Sequence, residues 1–170
     1  MNKKTITALV ILTVLIIGVT TFCFGQFIPN APFKKEVVTA PDFSLKDLKG
    51  KTFRLSRYSG DTVLLFFGTT WCPACRTEIP AYKKIYETYT PQGMEVVYIN
   101  IGESAKRVKR FVKKNSLPYR VLLDKNETVA NSYNIMGVPT FILLNKDRVV
   151  VNISHRTMDI PLEELFPKEK

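Results

Sequence analysis

Histidine is almost missing from this chain of 170 residues, with His155 standing alone. A tetrahedral structural zinc site takes four ligands, and one histidine with one cysteine pair supplies at most three. Structural zinc is therefore disfavoured against redox chemistry. Flanked by Ser154, Arg156 and Thr157, His155 is predicted to lie in a polar surface loop without a catalytic or metal role. Cysteine is also scarce, at three residues. Cys23 falls within an apolar run, so Cys72 and Cys75 have only each other as partners. A bond closing so small a loop constrains few residues of the unfolded chain. A structural staple does not account for the pair.

Acidic residues are outnumbered 15 to 25 by lysine and arginine, which leaves a net charge of +10. Such a surface could favour acidic partners or anionic lipid but says nothing about fold. Basic residues are not interleaved with aromatics, and no nucleic-acid motif accompanies the charge, so nucleic-acid binding is not expected. Internal repeats and low-complexity tracts are absent. With 45% apolar residues, the chain has material for a core of ordinary size.

Charge of either sign is absent from Thr5 to Phe24. Twenty helical residues span about 30 Å, the thickness of the hydrocarbon core of a bilayer. The run is longer than the apolar part of a cleaved signal peptide, and Phe22, Cys23, Phe24 and Gln26 offer no small-residue cleavage site. Cys23 raises the alternative of lipid attachment, which the bulky Phe22 disfavours. Residues 1–28 are thus predicted to be a cytoplasmic N-terminus and a single transmembrane signal anchor. Lys3 and Lys4 keep the N-terminus inside and place the rest of the chain outside the cytoplasmic membrane. Disulfide chemistry belongs to that side. Residues 29–38 follow as a linker containing Pro29 and Pro32, and 39–170 as one domain.

Within that domain, the alternation in Ala40–Leu45 and Thr52–Leu55 about Lys49-Gly50 predicts a β-hairpin. The apolar stretch Asp61–Gly68 predicts a buried strand, followed by a helix over about 73–89 interrupted near Pro80. Met94–Ile101 predicts a second strand. Ser104–Asn115 predicts a helix with Ala105, Val108, Phe111 and Val112 inward and a solvated face of lysine and arginine outward. A third strand over 119–123, a short helix over 127–133, a hairpin of 140–144 with 148–153 and a closing helix over 159–166 complete an α/β sandwich.

The chemistry is concentrated in Trp71-Cys72-Pro73-Ala74-Cys75, directly after the first buried strand. A helix start gathers unpaired N–H groups that favour negative charge, and the thiolate is the attacking form of cysteine. Three residues apart on a helix, two thiols share a face and can form or open a disulfide. Cys72 is the candidate nucleophile and Cys75, one turn inside, the resolving thiol. Glu78 falls on the same face. It either complements the helix dipole or, partly buried, handles protons for Cys75 and opposes thiolate formation. Glu103 either faces the cysteines from a loop or serves as a first-turn acid of the basic helix. Trp71 either flanks a substrate groove or packs inward.

Together with Gly137-Val138-Pro139-Thr140 at the start of a later strand, the cysteine motif resembles the thioredoxin superfamily over about residues 40–166. The N-terminal hairpin, Cys75-Arg76-Thr77-Glu78 and Asn100-Ile101-Gly102-Glu103-Ser104 are similar to the membrane-anchored TlpA/ResA/CcmG type. The resemblance implies a thioredoxin-like fold, a central mixed sheet flanked by helices, with an N-terminal hairpin extension. It also implies a cis bond at Val138-Pro139, with backbone beside the cysteines that pairs with an extended substrate. A glutamate placed like Glu78 lies beside the active site in that group. Phe66 stands where cytosolic thioredoxins carry a buried aspartate. The implied activity is extracytoplasmic reduction of protein disulfides, apocytochrome c CxxCH in cytochrome c maturation included. A CcdA- or DsbD-like membrane protein would donate electrons, with no cofactor beyond the cysteine pair. Two alternatives stand beside it. A peroxiredoxin-like thiol peroxidase shares the opening segment, but Leu65 occupies the proline position of its motif. A Sco-type copper delivery protein would need CxxxC and a histidine.

Overall fold

A seven-stranded sheet with a cysteine-bearing helix at its centre forms the body of the protein. The computed structural model describes residues 37–167. The anchor over 1–28, Cys23 and nearly all of the 29–38 linker lie outside the described residues. Among the described residues, no helix is long and apolar enough to cross a membrane.

Strands β1 (Ser44–Asp47) and β2 (Thr52–Arg54) make the hairpin, and β3 (Thr62–Gly68) enters the sheet centre. Helix α1 (Pro73–Tyr89), β4 (Met94–Ile101), α2 (Ala105–Asn115), β5 (Arg120–Asp124) and α3 (Thr128–Ser132) follow. The chain closes with β6 (Thr140–Leu144), β7 (Val150–Ser154) and α4 (Leu162–Leu165). The order across the sheet is β2-β1-β5-β4-β3-β6-β7. Strands β3, β4 and β5 are parallel neighbours, while β6, β7 and the hairpin run antiparallel, so the sheet is mixed.

Covered on both faces, β3 is buried at every position, which explains its unbroken apolar sequence. Its alternate side chains enter two cores. Leu64 and Phe66 join Tyr82 of α1, Val108 of α2 and Leu162 of α4. Val63, Leu65 and Phe67 join Phe53 of β2, Phe43 and Val129 of α3.

Helix α1 is not interrupted at Pro80 but runs through it. Arg76, four residues back, and Pro80 are both exposed, so the residues crowded by the ring lie on the solvent side of the helix. The closing helix is shorter than expected, because the chain first makes a 3-10 turn over Thr157–Asp159. The first hairpin strand begins later than expected, at Ser44 rather than Ala40, and the second begins at Thr52 as expected.

Candidate active site

The end of β3 delivers the redox pair. After Gly68, the turn Thr69-Thr70-Trp71 leads to Cys72, which caps α1 with extended backbone (φ −69°, ψ 117°), and Pro73 occupies the first turn. Proline suits that place because its missing N–H would have no helical partner there. The Cys75 amide donates to Cys72 Sγ at 3.2 Å, so the cap is made by the sulfur itself. Both thiols are free, and both are buried, Cys72 at 5% and Cys75 at 1% exposure. Burial is the main cause that pushes the Cys75 thiol up to about 12, and its contact with Cys72 adds to it. The Thr69 backbone lies against this thiol and works the other way.

The second wall comes from the segment before β6. The Val138–Pro139 peptide is cis, and the Cys72 thiol donates to the Val138 carbonyl at 3.6 Å. Antiparallel pairing of β6 with β3 carries this loop to the cysteines. A cleft of about 280 Å³ opens beside them, lined by Thr69, Trp71, Glu103, Glu127, Met136 and Val138 among others. Trp71 is 59% exposed and Met136 96%. Trp71 therefore flanks the groove rather than packing inward.

Glu103 is buried and holds the turn that carries Cys72. Its carboxylate accepts from the Thr70 amide (2.6 Å), the Thr70 hydroxyl (2.6 Å) and Asn100 Nδ2 (2.7 Å). Arg107 of α2 adds an ion pair at 3.1 Å. Glu103 is thus no first-turn acid, since Ser104 caps α2 after it. Glu78, half-buried on α1, accepts from the Thr157 amide (2.8 Å) and hydroxyl (2.6 Å) through the same oxygen.

His155 lies in an exposed bend, in keeping with its sequence reading, and makes one contact that reading did not include. Its Nδ1 lies 2.7 Å from the Pro139 carbonyl. A carbonyl only accepts, so Nδ1 carries the proton, and the ring ties the end of β7 to the cis-proline segment. Thr70 and Thr157 were invisible as site residues because each acts through a partner remote in sequence, whereas Asn100 acts through Glu103 only three residues on. Among the described residues, no three of His, Cys, Asp and Glu gather as metal ligands.

Residues 38–153 match the model of the AhpC/TSA family. Thiol-disulfide oxidoreductase ResA of Geobacillus kaustophilus is 40% identical over 120 residues, 71% of this chain and 69% of that protein. ResA of Bacillus subtilis is 37% identical over 139 residues, covering 79% and 78%. A solved putative thiol:disulfide interchange protein DsbE from Chlorobium tepidum superposes with a TM-score of 0.69 at 26% identity, over 76% of this chain and 92% of that one. Two thiols at a helix start, a cis-proline wall and these relatives agree, and the chain belongs to the AhpC/TSA family as a thioredoxin-like thiol-disulfide oxidoreductase.

Proposed function

We propose that this protein reduces disulfides of other proteins outside the cytoplasmic membrane, with the CxxCH disulfide of apocytochrome c as the favoured substrate. The observation that carries the reading is the division of labour between the two thiols. Cys72 caps the helix beside the cleft, and Cys75 is sealed beneath it with its proton held tightly. A substrate disulfide laid against Trp71 and the Val138-Pro139 backbone is attacked by the Cys72 thiolate, which forms a mixed disulfide and releases one substrate thiolate. Cys75 then attacks Cys72 Sγ, forms the intramolecular disulfide and releases the second. A CcdA- or DsbD-like membrane protein restores the dithiol, and the N-terminal anchor keeps the domain at the membrane. The cysteine pair carries the electrons without a further cofactor.

Removing the resolving thiol tests this. Full-length Cys75→Ala, incubated with an oxidised CxxCH peptide, is expected to accumulate a mixed disulfide through Cys72. Absence of any adduct overturns the reading.

We assign Glu78, whose carboxylate is held by Thr157, the handling of the Cys75 proton. A negative group near a thiol opposes its ionisation. Glu78→Gln removes the charge while keeping an oxygen for Thr157, so the Cys75 titration midpoint should fall. An unmoved midpoint removes Glu78 from the proton chemistry.

A further inference from the structure

Just before β6, the residues Met136, Gly137, Val138 and Pro139 make no backbone–backbone hydrogen bond among the described residues. Side chains hold this wall of the cleft instead. The Thr140 hydroxyl donates to the Gly137 carbonyl at 2.7 Å, the Cys72 thiol to the Val138 carbonyl at 3.6 Å, and His155 Nδ1 to the Pro139 carbonyl at 2.7 Å. Thr140 Oγ1 also lies 3.4 Å from Nδ1, and having given its own proton to Gly137 it can only accept from that nitrogen. Consecutive carbonyls of the wall therefore depend on three different donors.

These donors differ in what becomes of them during exchange. Thr140 closes a local turn within its own segment. Cys72 is a weak donor, and once it is a thiolate or half of a mixed disulfide its sulfur has no proton to give. The Val138 carbonyl is then released. His155 comes from the end of β7, delivered by the pairing of Ser154 with Phe141, and takes no part in the electron transfer. Two residues on, Thr157 donates its amide (2.8 Å) and hydroxyl (2.6 Å) to Glu78 of α1. The stretch from His155 to Thr157 thus straps the cleft wall to the helix that carries both thiols.

We propose that His155 is a positioning residue for the substrate, its Nδ1–H fixing the Val138-Pro139 backbone beside Cys72 when the thiol no longer does. This rests on the substrate disulfide lying against that backbone within an extended segment. The Val138 carbonyl, released by Cys72, then stands in a fixed place to accept a backbone N–H of the substrate. A wall already in position spares the entropy of ordering it at each encounter, so the bond acts on substrate binding. His155 moves no electron and gives up no proton. The disulfide passes between substrate, Cys72 and Cys75 with the same balance whether the ring is present or not.

His155→Phe keeps a ring and removes the donor, whereas His155→Asn keeps an N–H close to the place of Nδ1. Full-length parent and variants are assayed on an oxidised CxxCH peptide, which lies along the wall, and on dithiobis(nitrobenzoate), which has no backbone to lay there. His155→Phe should raise KM for the peptide by about 3- to 10-fold, the range for one hydrogen bond. It should slow attack on the small disulfide much less, and His155→Asn should recover most of the peptide affinity. Equal losses on the two disulfides, an unraised KM, or no recovery by asparagine overturns the proposal. A second measurement needs no peptide. In full-length Cys75→Ala with Cys72 capped as its methyl disulfide, the amide order parameters of Gly137 and Val138 should fall on His155→Phe from about 0.85 toward 0.6. Unmoved order parameters also overturn it. Were the parent protein to leave the peptide untouched, the reading of that substrate would fail, while the order parameters would still decide the role of His155.

Discussion

Cys72→Ser is expected to reduce thiol–disulfide exchange at pH 7 to the uncatalysed background. The remaining thiol cannot take over. Cys75 is 1% exposed, and its thiol is pushed up to about 12 mainly by burial, which the substitution leaves in place. At that value roughly one molecule in 100,000 carries a Cys75 thiolate at pH 7, since each unit below the pKa costs a factor of ten. That thiolate also has no open approach to a protein substrate. Raising the pH to 9 multiplies the thiolate by about 100 and still leaves roughly one in 1,000. The thiol must lose its proton to become active, so protons suppress the active form and residual activity climbs with pH throughout this range. The measurement is reduction of a protein disulfide by the full chain from pH 6 to 9. Exchange at more than a few per cent of the parent rate at pH 7 would show that Cys75 is accessible and ionised, contrary to this assignment.

Glu103→Ala is expected to be the most damaging change outside the cysteines. Three donors converge on this carboxylate from Thr70 and Asn100, in a site where Glu103 is only 7% exposed. Alanine leaves them without an acceptor, and each unsatisfied buried group costs about 1–3 kcal/mol before relaxation. The Arg107 pair contributes little beyond this, because that guanidinium side chain is 57% exposed. A loss of about 3–5 kcal/mol is a large part of the roughly 5–15 kcal/mol that holds a domain together. Thermal unfolding should fall by roughly 10–20 °C. Glu103→Gln keeps one oxygen but turns an NH₂ toward donors, and is expected to fall between the two. A drop of less than about 2 °C for alanine would mean that Thr70 and Asn100 find other acceptors. Because Thr70 is two residues before Cys72, the loosened turn should also slow exchange in the fraction that remains folded.

The buried strand β3 was legible because a strand covered on both faces must be apolar at every position, and Val63–Phe67 is. The cysteine pair was legible because spacing of three places two side chains on one face of a helix start, wherever that helix sits. Helix α2 matched its expected span to within one residue through its period and its Ser104 cap. Pro80 did not end the helix, which continues through it at the cost of one backbone hydrogen bond. His155 was read rightly as an exposed loop residue, but its bond to the Pro139 carbonyl was not legible, because the pairing of β6 with β7 brings the two together.

By itself the sequence determined the strand–helix junction, the two thiols on its first turn and the absence of a carboxylate at Phe66. These follow from periodicity, helix geometry and composition, which act over a few residues. The tertiary structure alone decided which groups meet the thiols. Thr70 reaches Glu103 across 33 residues, Cys72 reaches Val138 across 66, and Thr157 reaches Glu78 across 79. Such pairs are set by strand order and register. A one-residue slip in register would turn the strand side chains to the other face and displace the turns that carry these groups, and no local pattern encodes which strand lies beside which. The same holds for Tyr98: as sequence it is one aromatic in an apolar strand, and only the bare Gly68 on the neighbouring strand leaves room for its ring and hydroxyl.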